Sequence, residues 1–258
     1  MSEHVKSEIS DGVLTLTIAR PDKKNALTND MYGALADAIG RAESDAATRV
    51  VLIQAQGDMF SAGNDIGEFA AQAPGAGSKE EPHVVRFLRN LAKASRPLVA
   101  AVQGRAVGVG TTMLLHCDMV ILAEDALLTT PFVNLALVPE AASSLLMPSR
   151  IGYVRAFEMF ALGEAVSAKD ALAWGLANQV VPVGLLHVKA RELAQRIAAQ
   201  PVGALAATKR LMRDPQELTA QMDAETVQFV ERLRSPEARE AFTAFAQRRP
   251  PNFSNLAG

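Results

Sequence analysis

The chain has 258 residues, 49% hydrophobic and 21% charged, a size and balance that fit one large globular domain or a domain with an appendage. Its 28 acidic and 26 basic residues leave a formal net charge of -2, so no overall field draws it to nucleic acid or to a membrane surface. The single cysteine, Cys117, excludes an internal disulfide and a cysteine-based zinc cluster, and it reads as a buried thiol in an apolar run. The start M-S-E-H-V-K-S-E-I-S is polar and acid-containing, unlike a secretory signal, and Ala106–Leu115 is too short to span a bilayer. The expectation is a cytoplasmic protein.

Gly12 to Ile18 alternates small or polar with aliphatic residues and predicts a strand. Arg20-Pro21-Asp22 breaks it, and a basic loop from Lys23 to Leu27 follows. Thr28 or Asn29 can cap a helix that carries Met31, Leu35, Ile39 and Ala42 on one face. Arg49 to Gln56 is a continuous apolar run and predicts a strand buried on both faces. Ala70 to Pro82, rich in Ala, Gly, Pro and Glu, predicts a mobile surface segment, and His83 to Ser95 a helix with Val84, Phe87, Leu88 and Leu91 on one side.

Pro97–Val102 and Asp118–Ala123 predict two more buried strands, separated by a glycine-punctuated turn into a helix. Helices are expected over Ile151–Leu162 and Ala168–Trp174, and a short extended piece over Asn178–Pro182. From Leu185 onward nearly everything predicts helix, with apolar stripes at Leu193/Ile197, Met222/Phe229/Leu233 and Phe242/Phe245. The architecture expected is α/β with a helical C-terminal portion.

Three segments carry candidate chemistry. Gly104, Gly108 and Gly110 fail the dinucleotide fingerprint, because Met113 stands at the third glycine, and no Lys-Ser/Thr pair makes a phosphate loop. A helix N-terminus after glycines still exposes N–H groups that can hold negative charge; tight packing is the other reading. F-S-A-G-N-D (Phe60–Asp65) is either a turn before a helix or a second donor for an oxyanion hole. Glu140 follows Pro139 and suits the first turn of a helix, where its charge favours the dipole, or it is a base. Ser143 and Ser144 lack a Gly-x-Ser-x-Gly elbow, the four histidines sit in no evident partnership, and no metal-ligand spacing occurs. His116 reads as a satisfied core histidine.

Taken in order, R-P-D-K-K-N-A-L (Arg20–Leu27), F-S-A-G-N-D-I (Phe60–Ile66), R-P-L-V-A-A-V-Q-G-R-A-V-G-V-G (Arg96–Gly110), C-D-M-V-I-L-A-E-D-A (Cys117–Ala126), T-P-F-V-N-L-A-L-V-P-E-A-A-S-S (Thr130–Ser144) and A-K-D-A-L-A-W-G-L-A-N-Q-V-V-P (Ala168–Pro182) resemble the crotonase family, the enoyl-CoA hydratase/isomerase superfamily. The resemblance implies a spiral of ββα units over residues 1–195 and a helical trimerisation region over 196–258. It implies a homotrimer or dimer of trimers and an acyl-CoA thioester substrate, with coenzyme A part of the substrate and no separate cofactor or metal. Nucleic acid and membrane are not expected partners. By position it places oxyanion-hole N–H groups on Asn64 and Val109. Lys24, Ala26, Ala62, Gly63, Asp65, Ile66, Gly108, Thr112 and Phe132 fall in the substrate and CoA site, and Arg248 or Arg249 near the nucleotide phosphates.

The departures from the family pattern carry the functional expectation. Thr112 and Phe132 stand where the two hydratase glutamates would be, and each lost proton-transfer group costs about 10²–10⁴ in rate. P-E-A-A-S-S resembles the segment that supplies the catalytic carboxylate of the peroxisomal-type Δ3,Δ2-enoyl-CoA isomerases. The expectation is therefore an isomerase with Glu140 as a single proton shuttle. The alternatives are another crotonase reaction, including weak hydration, and a non-catalytic acyl-CoA-binding protein.

Overall fold

The computed structural model describes residues 2–65, 67–68, 82–254 and 256. The expected mobile segment, Ala70 to Pro82, lies outside the described residues except at Pro82. The chain opens on a hairpin, β1 (Val5–Ser10) and β2 (Val13–Ile18), turned by Asp11 and Gly12, both at positive φ. The polar β1 was not legible as a strand because its exposed edge position imposes no apolar alternation.

Helix α1 (Asn29–Ser44) begins at Thr28, whose side chain accepts from the Met31 N–H, and buries the expected Met31, Leu35, Ile39 and Ala42. Strand β3 (Val50–Ala55) pairs parallel with β2, and α2 (His83–Lys93) buries Phe87, Leu88 and Leu91. Strands β4 (Leu98–Val102) and β5 (Arg105–Val107) lead into the one-turn helix α3 (Val109–Thr112). Strands β6 (Met119–Ala123) and β7 (Leu127–Thr129) repeat that step.

Helices α4 (Ser143–Ile151) and α5 (Tyr153–Leu162) follow, interrupted at Gly152 with φ 81°, so the expected single helix from Ile151 begins one turn-breaking glycine later. Strand β8 (Val166–Ser167), helix α6 (Ala168–Trp174) and strand β9 (Gln179–Val181) complete the mixed part. Four helices end the chain: α7 (Leu186–Ala198), α8 (Val202–Met212), α9 (Pro215–Leu233) and α10 (Pro236–Ala246). Position 195 falls inside α7. No described helix is long and apolar enough to cross a membrane.

The larger sheet has the order β1-β2-β3-β4-β6-β9 and is parallel from β2 onward. Alternate residues of β3 explain its unbroken apolar run. Val50 and Leu52 pack with Val99, Ala101, Ile121 and the Leu186, Ala190 and Leu193 face of α7, whereas Val51 and Ile53 pack with α1 and α2.

A second sheet, β5-β7-β8, stands beside it. Single bridges extend this row to Ser61, opposite Ala106, and to Leu27, opposite Asn64. Each turn of the chain thus gives one strand to the large sheet and one short extended piece to the row, then a helix. Pieces of two or three residues have too little periodicity to be read from sequence.

Candidate active site

Successive turns of the row end at Asn64, at Gly108-Val109 and at Phe132, and all four residues line one cavity of about 340 Å³. Two glycines make the close approach achievable. A Cβ on Gly63 would lie 2.8 Å from the Val107 carbonyl, and one on Gly110 would lie 3.1 Å from Ser61. Gly108 is different: its φ of 56° and ψ of -119° demand glycine although nothing crowds it.

The backbone at Asn64 is fixed by its neighbours. The Leu27 N–H donates to the Gly63 carbonyl at 2.8 Å, and the Asp65 N–H donates to the Leu27 carbonyl at 2.9 Å. The Asn64 N–H consequently points away from Leu27. Neither it nor the Val109 N–H, at the start of α3, meets an acceptor among the described residues. Two unpaired donors on one cavity wall can hold a developing oxyanion, each worth about 3–4 kcal/mol in a transition state. Tyr32, 3% exposed, donates from its hydroxyl to the Asn64 Oδ1 and fixes that side chain.

Glu140 lines a neighbouring cavity of about 130 Å³, and Asn64 and Phe229 belong to the walls of both spaces. Thr112, fully buried, donates to the Glu140 Oε1 at 2.8 Å. Burial raises the Glu140 pKa from 4.5 to about 7; the Thr112 bond lowers it and the charge of Glu225 raises it further. Tyr32 senses the same carboxylate, since burial first and Glu140 second push its hydroxyl well above the usual value.

Glu140 does not start a helix. Helix α4 begins at Ser143, and Ala141 and Ala142 both lie in the left-handed region, at φ 65° and 54°. Two such non-glycine residues cost about 1–2 kcal/mol each, so the dipole role considered for Glu140 gives way to a strained turn. Surrounding bonds hold it. His116 Nε2 lies 2.8 Å from the Ala141 carbonyl, and Arg213 donates to His116 Nδ1, which makes His116 a neutral donor. Burial, aided by Arg213, drops the His116 pKa to about 3, in accord with a core histidine. Glu225 accepts from the Ala142 and Ser144 N–H groups at 2.6 and 2.9 Å.

Of the residues expected at the site, Ala62, Gly63, Asn64, Gly108, Val109 and Phe132 share the larger cavity. Thr112 joins through Glu140. Phe132 makes its wall apolar and packs on Phe160, with ring centroids 6.3 Å apart. Lys24, Ala26 and Asp65 are not on that cavity's wall. Arg20 donates to Asp65 Oδ2 at 2.7 Å and to the Ala26 carbonyl at 3.0 Å, and it holds the Asp65 carboxyl below its usual range. Lys24 pairs at the surface with Asp58, at 2.9 Å. Arg249 lines the larger cavity and pairs with Glu240, whereas Arg248 is not on that wall. Ile66 lies outside the described residues.

Sequence reasoning missed Tyr32 and Glu225. Glu225 had a readable signal: it is an acid between Met222 and Phe229 on the apolar face of a helix, and only 6% exposed. Tyr32 had none, since one aromatic on a helix is ordinary core.

Two N–H donors and a buried carboxyl opening on adjoining apolar spaces can serve acid–base chemistry on a carbonyl compound. The family model described as "Enoyl-CoA hydratase/isomerase" matches residues 8–256. The chain is 33% identical to the 1,2-epoxyphenylacetyl-CoA isomerase of Escherichia coli (strain K12), over 98% of this chain and 99% of that one. It is 32% identical to the enoyl-CoA delta isomerase 2 of Rattus norvegicus, over 93% of this chain and 62% of the relative. The crystal structure of an enoyl-CoA hydratase/isomerase from Pseudoalteromonas atlantica T6c superposes with a TM-score of 0.92 at 39% identity, covering 98% of this chain and all of that one. The chain belongs to the enoyl-CoA hydratase/isomerase family, the crotonase superfamily, and is an acyl-CoA enzyme.

Proposed function

We propose that the protein is a Δ3,Δ2-enoyl-CoA isomerase that moves the double bond of a 3-enoyl thioester to the conjugated 2-position. The observation that carries the reading is the buried Glu140, raised to about 7 and bonded by Thr112, on a cavity adjoining the one that Asn64, Val109 and the apolar Phe132 line. A base for a C2 proton flanked by a carbonyl and an alkene works best with a pKa near the working pH. Glu140 takes that proton, and the C–H electron pair moves toward the thioester oxygen. The Asn64 and Val109 N–H groups hold the resulting dienolate. The protonated carboxyl then returns the proton at C4, leaving the double bond between C2 and C3. Atoms balance without water, and Phe132 disfavours an ordered water at its wall.

The test follows the rise in ultraviolet absorbance as a 3-enoyl-CoA becomes conjugated. Activity in the wild type and its loss in Glu140→Gln are expected; full activity in that variant sinks the assignment. Product analysis separates the rival, because hydration yields a 3-hydroxyacyl-CoA. The homotrimer or dimer of trimers is likewise proposed from the family resemblance, and light scattering of the purified chain tests it.

A further inference from the structure

We infer that Glu225 is a positioning residue for Glu140: from α9, its carboxylate fastens the left-handed Ala141–Ala142 turn that aims Glu140 into the smaller cavity. The inference rests on the proton-shuttle reading of Glu140. Three donors converge on this one carboxylate: the Ala142 N–H at 2.6 Å, the Ser144 N–H at 2.9 Å and the Ser144 hydroxyl. Gln221, one helical turn earlier on α9, donates to the Ser144 Oγ at 2.9 Å and locks the hydroxyl's direction. The held residues directly follow Glu140, and the Ser143 N–H donates back to the Glu140 carbonyl at 3.1 Å. Without an acceptor here, two successive left-handed alanines have no local reason to persist. Glu140 and Glu225 also line the same cavity.

The arrangement has an electrostatic consequence. The titratable groups around Glu140 are Tyr32 from α1, Arg89 from α2, His116 behind the turn, and Asp223 and Glu225 from α9. Arg89 and Asp223 pair at 2.8 Å, and Tyr32 and His116 are both neutral at pH 7. Glu225 is left as the charge that acts on Glu140. Burial raises the Glu225 pKa as well, but three donors favour its ionised form against one for Glu140. A carboxylate at Glu225 thus favours the protonated form of Glu140, and the reaction begins once that proton has left.

The test is Glu225→Gln in the full chain, with kcat and KM for a 3-enoyl-CoA and a carbon-13 titration of the Glu140 carboxyl. The expected result is a kcat lower by about 10- to 100-fold with KM within about threefold, because misaiming a base costs rate rather than binding. The Glu140 midpoint should also fall, since a like charge has gone. Helix capping alone would lower the melting temperature and leave kcat in place. Both changes are required; the absence of either overturns the proposal. Should the wild type convert no 3-enoyl-CoA, the reaction reading fails separately, and a crystal structure of Glu225→Gln decides the positioning role: an unchanged left-handed Ala141–Ala142 turn overturns it. If Glu225→Gln does not fold, Ser144→Ala removes one donor and the Gln221 anchor. It should lower kcat several-fold at constant KM, and an unchanged kcat would refute the idea.

Discussion

The two walls of the site are built on different principles. The donor wall is backbone: a bridged residue at Asn64 and the first turn of α3 at Val109, brought together by glycines that remove a side chain or permit a forbidden angle. The Glu140 wall is a side chain on a strained turn, held by His116, Thr112 and Glu225 from three other parts of the chain. The first rests on glycines beside the donors and on the bridge between Leu27 and Asn64. The second exists only once a helix more than 80 residues later has docked. The backbone wall carries no buried charge, whereas the assembled wall carries electrostatic stress that can be measured.

The most damaging change should be Glu140→Gln, which keeps the Thr112 acceptor and removes the base. A loss of about 10²–10⁴ in kcat is expected from the conjugation assay. Next, Gly63→Ala adds crowding to a positive-φ strain that Gly108→Ala tests alone, since Gly63 lies at φ 89° and Gly108 at φ 56°. An alanine at 63 meets the Val107 carbonyl and displaces the Asn64 N–H, so kcat should fall about 10²–10³-fold. An alanine at 108 meets nothing and should cost about 1–3 kcal/mol in a denaturant titration. Equal stability losses in the two would show that backbone angle, not crowding, dominates both sites.

The assembled wall predicts an inverse effect on stability. Folding raises the Glu140 pKa from 4.5 to about 7, so the folded state is penalised as pH climbs through that window. Glu140→Gln should accordingly stabilise the protein by about 3 kcal/mol above pH 7 and by nearly nothing below pH 4. Thermal melts at pH 8 and pH 4 measure the difference; a variant no more stable at pH 8 than the wild type contradicts the buried carboxyl. The smallest effect concerns pH dependence. Wild-type kcat/KM should rise with pH and level off above about 7, and Thr112→Val should move that limb upward, because the lost bond favoured the charged form.

Sequence and structure divide the molecule along the same line as the two walls. The buried strands at 50–55, 98–102 and 119–123 were legible because both faces of a parallel sheet are covered, leaving runs with no polar alternation. So was the glycine turn into α3, because glycine alone satisfies its angles. Family resemblance in ordered motifs added Asn64, Val109 and Glu140, and the substitutions at Thr112 and Phe132. The same motif carries the Arg20 network that ties Ala26 to Asp65 and supports the loop.

By itself, then, the sequence determined the strands, the donor-bearing turns and the loss of both hydratase-position acids, since these depend on residue type and near neighbours. Tertiary structure alone decided that Glu140 leaves the helix it was expected to begin and sits buried at a raised pKa in contact with Thr112. It alone brought Tyr32 to Asn64 and Glu225 to Ala142. The reason is physical. Backbone angles and alternation are local, whereas burial, and the cost of burying charge, are set by whatever the rest of the chain packs around a residue.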